Sequence, residues 1–370
     1  MKGSYVGILL NQSMYRGIPA GKTQTEVLSY YEEGARLYGL KPCYIRLDDL
    51  HLHRDKVMAF VKEGSSYQRM EVPVPRVIHN RALLFSAHDR NKLTQLAERK
   101  CIIFNRWNRY SKPYIHSLLW AEPSFRPHMA QTVSGTPDNI RKMMKAHRAL
   151  FIKPNSGSIG VGIMRLVRAS GGWRLSYAVR EEGRKRWKHT RFTGALPAHL
   201  LRKLQTRRFH IQEELPLATF RGRRFDLRVT VQKDATGEWQ VAGMVGKVAP
   251  SGRFLSNVGQ GGKVYRLAVL LEEYPDLQTG RVKQAVEAFA LRVARHLETV
   301  LPELADIGLD IGLTREGKPL FIECNGRDQR YAFGHVRMME EWKATYANPM
   351  GYARYLLDRM NAEYEEGSTE

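Results

Sequence analysis

Near the C-terminal end of this 370-residue chain, the stretch LFIECNGRD sets Glu323 and Asn325 directly after an apolar, strand-like run. Two residues apart on an extended strand, they point to the same side. A carboxylate and a carboxamide on one face of an apolar strand are costly to bury unless something uses their oxygens. Asp310 lies upstream in DIGLDIGL, and the turn TREGKP folds the two strands against each other, so all three side chains can converge. Hard oxygen donors in that number suit Mg²⁺, which keeps water and phosphate oxygens in its remaining positions. The competing reading is a carboxylate neutralised by a basic neighbour such as Arg327 or Arg228.

A second stretch, LFIKPNSGSIGVGIMRL, delivers Lys153 at a strand end. Pro154 stops the strand, and Asn155, Ser156, Gly157, Ser158, Gly160 and Gly162 form a loop opening into the next one. Glycines let backbone N–H groups approach phosphate oxygens, and the lysine adds a point charge. The loop lacks GxxxxGK[ST], and it runs toward a strand where a dinucleotide fingerprint demands a helix. A tight surface turn explains it equally well when it is taken alone.

These residues need elements to hold them. SYVGILL, KPCYIRL, Val77 to His79 and CIIFN read as strands, with TQTEVLSYYEEGARLYGL and HDRNKLTQLAERK as helices between them. That alternation predicts an α/β domain over 1–110. A connecting segment, 111–132, carries Lys112. A smaller α+β module follows over 133–210, with helix TPDNIRKMMKAHR and strands LFIKP, GIMRLVRA and WRLSYAVR. The third region, 211–360, starts at FHIQEEL and holds the strands FDLRVTVQ and WQVAGMVGKVA around the hairpin signal KDATG. A helix from about 280 to 301, two more strands and a helical stretch over 334–357 complete it. Residues 361–370 read as a frayed acidic tail.

Composition narrows the function. Lys plus Arg number 59 against 37 Asp plus Glu, a formal charge of +22, and hydrophobic residues make up 43%. Such a chain folds and attracts polyanions: nucleotides, nucleic acid, a membrane surface or an anionic wall polymer. No helix-turn-helix or finger pattern frames the basic runs, which argues against sequence-specific DNA recognition. A basic face that merely solubilises the protein or steers anions is the plainer account. Cys43, Cys101 and Cys324 have no zinc-type spacing and indicate a fold that needs no disulfides. Cys324, between Glu323 and Asn325, is expected to face the opposite layer as a core residue. The N-terminal run reads as a first strand and not as a signal peptide, and no apolar run approaches membrane-spanning length.

The order of the pieces resembles the ATP-grasp fold: an α/β domain, a small lid with a lysine and a glycine loop, the hinge IQEEL, a long mixed or antiparallel sheet, and a D…E-x-N ending. More closely, the whole chain resembles the YheC/YheD family, endospore coat-associated proteins of spore-forming bacteria. GRRFDLRV and GRFLSNVGQGG are similar to motifs of the ribosomal-protein glutamate ligase branch. The resemblance implies ATP and Mg²⁺ as cofactors, with Asp310, Glu323 and Asn325 on the metal. Lys112 and Lys153 match the two nucleotide lysines, and the loop carrying Ser156, Gly157, Ser158 and Gly160 would cover the phosphates. Glu213, Glu214 and Leu215 match the hinge whose backbone reads adenine, and Asp226 the position that takes the ribose. Arg228 matches the arginine facing the transferred phosphate, and Asn257, with Gln260 and its glycines, a turn on the substrate side.

One departure stands out. Leu255 precedes Ser256-Asn257 where the ligases commonly carry a basic residue, and Arg253 lies two residues earlier, on the same face if the strand continues. The resemblance implies a ligase that activates a carboxylate as an acyl-phosphate for an amine or thiol. Its rival is a spore-coat assembly protein that keeps the nucleotide fold without turnover, made in the cytoplasm in either case. The motifs name neither acid nor acceptor.

Overall fold

The structure is a computed structural model and describes residues 4–99, 101–155, 161–181, 184–301 and 303–366. Three six-stranded sheets organise the chain. The first is built from β1 (Ser4–Leu9), α1 (Gln12–Gly17), α2 (Leu28–Leu37), β2 (Leu40–Ile45), β3 (Lys56–Glu63), β4 (Ser66–Pro73), β5 (Val77–Asn80), α3 (Ala87–Glu98) and β6 (Ile102–Phe104). Its strand order is β4-β3-β2-β1-β5-β6, parallel from β2 to β6 and antiparallel over the β3–β4 hairpin. The loops after β1, β5 and β6 therefore emerge at one edge, where α/β sheets present ligand sites. The helix expected from Thr23 begins only at Leu28, because Gln24 adopts a left-handed φ of 55° and Thr23 Oγ1 donates to Glu26 O instead. The β3–β4 hairpin is an element that the sequence reading left unassigned.

α4 (Lys112–Ala121) leads to the second sheet. That sheet contains β7 (Thr132–Ser134), α5 (Pro137–Ala146), β8 (Ala149–Pro154), β9 (Met164–Ala169), β10 (Gly172–Glu181), β11 (Arg184–Phe192), α6 (Ala198–Thr206) and β12 (Phe209–Glu213). The order is β11-β10-β9-β8-β12-β7, and all its pairings are antiparallel. Ile140, Leu150, Ile152, Leu166, Leu200 and Ile211 form its core under α5 and α6. The strand carrying HIQE thus closes this sheet and delivers the chain to the third. The basic run around Trp187 is the edge strand β11, where cationic side chains discourage pairing with another chain.

The third sheet holds β13 (Thr219–Phe220), β14 (Arg223–Lys233), β15 (Trp239–Val248), β16 (Lys263–Tyr265), α7 (Leu267–Leu271), α8 (Thr279–Val300), β17 (Asp306–Leu313) and β18 (Pro319–Asn325). α9 (Ala332–His335) and α10 (Met339–Glu366) follow. The order β16-β15-β14-β17-β18 puts β14 at the centre, with β13 paired to its start. Alternate residues of β14 and β17 (Leu227, Val229, Val231; Ile307, Leu309, Ile311) meet Val286, Phe289, Val293 and Leu297 of α8 in the largest core. α10 joins α2 to the sheet through Tyr346, Met350, Ala353 and Leu356 against Tyr31, Tyr44 and Phe104. It runs on to Glu366, so the expected frayed tail is helical that far; ion pairs one turn apart, Arg354–Asp358 and Arg359–Glu363, support it.

Between the first and third sheets lies a buried polar seam. Asp306, fully buried, accepts from Arg330, from Arg81 Nη1 at 3.2 Å and from Gln232 Nε2 at 2.9 Å, with His79 Nε2 at 3.1 Å. Arg81 also donates to Glu26 Oε1 at 2.7 Å and to Asp328 O at 2.6 Å. Asn105, at φ 53°, receives Ala305 N and Asp306 N on its Oδ1 and donates to Asp306 O and Gly326 O. Two arginines against two carboxylates leave the seam charge-balanced, which a buried ionic cluster requires. Among the described residues no helix is long and apolar enough to cross a membrane, and Cys43, Cys101 and Cys324 are free thiols.

Candidate functional site

The site begins with strand register. In antiparallel ladders, directly opposed residues share a face. Arg228 on β14 opposes Asp310 on β17, and Asp310 opposes Glu323 on β18. This row depends on an irregularity: the register shifts between Asp310 and Ile311, whose partners are Glu323 and Phe321, so Ile322 is the extra residue of a bulge. Two residues along β14, Asp226 opposes Lys247 of β15. The open side of this face is a cleft of about 620 Å³, lined by Lys112, Lys153, Asp226, Arg228, Lys247, Asn257, Asp310, Glu323 and Asn325 among others.

Each ionised group in the row has a partner. Arg228 donates from Nε to Asp310 Oδ1 at 2.7 Å and from Nη1 to Asp328 Oδ1 at 2.8 Å. Lys247 Nζ stands 2.8 Å from Asp310 Oδ1 and 2.8 Å from Asp226 Oδ1, the latter an ion pair without hydrogen-bond alignment. Ser256 donates to the other oxygen of Asp226. Burial pushes the Asp310 carboxyl up, but Arg228 and then Lys247 outweigh it and hold the group well below the usual carboxylate range. At Asp226 burial wins over Lys247, and the neighbouring Asp310 charge adds to the rise. Gly308, opposite both Thr230 and Asn325, leaves room for Asp328: a Cβ there would lie 2.2 Å from Asp328 Oδ1.

Two lysines face the row from outside the third sheet. Lys112 opens α4, whose N-cap Ser111 accepts from Tyr114 N, and Pro113 fits the first turn. Its Nζ donates to Glu323 Oε2 at 2.7 Å. Lys153, on β8 opposite His210, donates to Gln212 Oε1. Burial, then the Lys112 charge, brings its pKa down to about 8. Burial and Lys153 together take His210 down to about 3, so it is neutral beside the lysines.

Phe151, Ile163, Leu215 and Leu217 make an apolar wall of the cleft beside the end of β12. Glu213 and Leu215 line the cleft, and Glu213 accepts from Gln131 N while its other oxygen meets His147 Nδ1 at 3.1 Å. Glu214 points away: Arg165 binds it at 2.7 and 2.8 Å, and Arg224 is its second cation. The N–H groups of Glu213 and Glu214 donate to Gln131 O and Ala149 O, and Leu215 N–H has no backbone partner among the described residues. Ser156, Gly157, Ser158 and Gly160 lie outside the described residues.

Asn257 lines the cleft at the start of a tight turn, its carbonyl accepting from Gln260 N and Gly262 N. The expectation for Arg253 is corrected. β15 ends at Val248, the chain turns at Gly252 (φ 68°), and Arg253 donates outward to Gln260 O. Cys324 packs partly against the core and also borders the cleft. Lys247, Asp328 and Ser256 are site residues that the sequence reading missed. A lysine inside the apolar strand QVAGMVGKVA was the available signal for the first.

Among the described residues no three His, Cys, Asp or Glu side chains cluster as a metal site. The candidate donors are instead two carboxylates in register plus the Asn325 carboxamide. That hard-oxygen set fits Mg²⁺ taking its remaining ligands from phosphate and water. Asp310 is held ionised by Arg228 and Lys247, and Lys112 pairs with Glu323; these cations can equally meet phosphates.

The family model described as YheC/D-like ATP-grasp matches residues 100–356. The chain belongs to that family. It is 26% identical over 315 residues to the endospore coat-associated protein YheD of Bacillus subtilis (strain 168), a match covering 80% of this chain and 66% of YheD. With YheC of the same organism, also named endospore coat-associated, identity is 20% over 336 residues, 89% of this chain and 90% of YheC. The fold of the family is shared with the solved ATP-grasp ligase PsnB in complex with a precursor variant, Mg and ADP. The TM-score is 0.52 at 15% identity, over 94% of this chain and 99% of that one.

Proposed function

We propose that this ATP-grasp protein is an Mg-ATP-dependent ligase that activates a substrate carboxylate as an acyl-phosphate and passes the acyl group to an amine or thiol. The observation that carries it is the row Arg228–Asp310–Glu323 facing Lys112 and Lys153 across one cleft. With Lys247 and Asp226 beside them, four cations and three carboxylates gather at one point, more than a binding scaffold needs. In this reading Asp310, Glu323 and Asn325 hold Mg²⁺, which when bound neutralises phosphate charge. The second sheet is the lid and 211–360 the metal-bearing unit. Lys112 and Lys153 hold phosphate oxygens, and Glu213, Leu215 and the apolar wall take the base. Asp226 is the remaining carboxylate for the nucleotide, here engaged with Lys247 and Ser256.

A substrate carboxylate oxygen attacks the γ-phosphorus and ADP leaves. The nucleophile then attacks the acyl carbon, expelling phosphate and losing its proton to solvent. Arg228, with its planar fork, and Lys247 stabilise the charge that moves in the first step; Asn257 faces the acyl group. Catalysis is by positioning and electrostatics, without a covalent enzyme intermediate.

Leu255 favours a second reading, a coat-assembly protein that binds nucleotide without turnover, in keeping with the names of its relatives. Synthesis in the cytoplasm and association with the spore coat fit both readings. The deciding experiment incubates the protein with Mg-ATP and pools of amino acids, short peptides and wall fragments, and follows ADP and phosphate release. Release that depends on a matching acid and nucleophile supports the ligase. Tight ATP binding without ADP from any pool favours the scaffold.

A further inference from the structure

The end of the cleft bordered by the first sheet is cationic for a reason that the nucleotide does not supply. β1 pairs with β2 on one side and β5 on the other, so the loops after β1 and β5 diverge at a topological switch point, where α/β sheets bind ligands. Asn11 ties the two loops by accepting from Leu83 N and donating to Leu83 O, both at 3.0 Å. Leu83, Phe85, Asn108 and Arg109 from this edge line the cleft opposite Gly326, Arg327 and Tyr331. Gly326 permits the approach: a Cβ there would lie 2.7 Å from Asn108 O.

Arg327 is the most weakly paired charge of this region. Its side chain is 10% exposed, its Nε is buried without a hydrogen-bond partner among the described residues, and its Nη2 donates weakly to Met14 Sδ at 3.7 Å. The nearest carboxylate is Glu26 Oε1 at 3.8 Å, beyond hydrogen-bond reach. Arg81 already donates twice to that oxygen, and Tyr31 donates to its twin. Asp306 belongs to Arg330 and Arg81, and Asp328 to Arg228 and Thr230. His79, brought down to about 4 by burial, adds no charge at neutral pH. A guanidinium buried to this degree needs an anion with planar acceptor geometry.

We propose that Arg327 anchors a carboxylate of the second substrate, at the switch-point end of the cleft. The inference rests on the cleft being the nucleotide and substrate site proposed above. It narrows the substrate to a small molecule bearing a carboxylate, an amino acid or a peptide with a free acid, held there with Phe85 and Arg109 at the rim. Lys112 and Lys153 stay with the phosphates. The weak N–H···S contact to Met14 engages Nη2 and leaves Nε for the ligand.

The test must be site-resolved, because a protein of charge +22 binds anions at many points. The full chain is labelled with ¹⁵N-arginine, and the Arg327 Nε–H signal is assigned by its loss in Arg327→Gln. Acetate, acetamide and methyl phosphate are then titrated with Mg-AMP-PNP present. The expected result is a saturable shift of that signal with acetate and none with acetamide. In Arg327→Gln, calorimetry at the same ionic strength should show acetate affinity reduced at least about tenfold. No saturable shift, or the same shift with acetamide, overturns the proposal. Tighter saturation by methyl phosphate overturns the carboxylate assignment in favour of a phosphorylated ligand. Mg-AMP-PNP binding is read from the same samples. A silent Nε beside intact nucleotide binding sinks only this inference, and a responsive Nε without nucleotide binding sinks only the ATP reading.

Discussion

Lys112 Nζ lies 2.7 Å from Glu323 Oε2, although the two residues are 211 positions apart in the chain. The lysine proposed for the phosphates and the carboxylate proposed for the metal thus neutralise each other. Both side chains are about a quarter exposed, 21% and 25%, so the pair itself adds little to stability, about 1 kcal/mol or less.

Glu323→Gln should therefore fold normally and lose the Mg²⁺-dependent gain in ATP affinity, by tenfold or more (about 1.4 kcal/mol). Calorimetric titration of ATP with and without Mg²⁺ measures it. An unchanged gain would leave Glu323 as the counter-ion of Lys112 and nothing else.

Lys247 is the opposite case, because its ammonium is buried between Asp226 and Asp310. Lys247→Met leaves the two carboxylates without that cation and should cost about 3–5 kcal/mol in urea unfolding at pH 7. Asp226 titrates high, so protonating it removes the like charge, and the deficit should shrink as pH falls toward 5. Asp226→Asn in the same background should recover part of the loss at pH 7. A deficit that does not vary with pH, with no recovery, would mean that lost packing alone explains it.

Lys153, with a pKa of about 8, is mostly protonated at pH 7 and mostly neutral at pH 9. Its folded pKa lies below the ordinary lysine value, so its charge costs folding stability below pH 8, and that cost disappears as pH rises from 8 toward 10.5. Phosphate favours the charged form. ATP affinity should hold up to about pH 7 and fall above 8, with proton uptake on binding near pH 8.5 in buffers of different ionisation enthalpy. Lys153→Arg should abolish the uptake. Identical uptake in that variant would move the titration elsewhere.

Arg228 meets Asp310 and Asp328 with its fork. Arg228→Lys keeps charge and fold and removes the bidentate geometry. Once a substrate pair is known, kcat should fall by about 10²-fold, more than ATP affinity does. Equal losses would make Arg228 an anchor for the nucleotide only.

The basic stretch 184–224 should bind polyanions without sequence preference and with a steep loss in salt. Unrelated DNA duplexes and an anionic wall polymer, compared at two salt concentrations, test it. Affinity for one duplex that survives high salt would point to a dedicated nucleic-acid site.

The oxygen set was legible because parity along a strand is a local property: Glu323 and Asn325 share a face whatever else the chain does. Their alignment with Asp310 was legible only in outline, since a bulge at Ile322 decides which residue stands opposite. Lys247 left only a faint trace, a lysine inside an apolar strand, and Asp328 left none. A lysine in an apolar strand and an aspartate in a loop acquire meaning from neighbours across the sheet, and spacing along one segment does not reveal them. The β3–β4 hairpin did carry its signal, Gly64 between two alternating runs, and went unassigned for want of chemistry to attach to it. Glu213 and Glu214 are adjacent in sequence, yet one side chain faces the cleft and the other an arginine pair, a difference that only tertiary contacts decide.

The seam between the first and third sheets bears on how the protein is made. Arg81 emerges from the ribosome 225 residues before Asp306, one of its two counter-ions, and Asn105 precedes the backbone it clamps by about as many. Until β17 has been synthesised, that edge of the first sheet stays in water, with Arg81 paired to Glu26 alone. The seam therefore closes only once β17 is in place. Locking of the first sheet against the third waits for the last seventy residues, Asp306 among them.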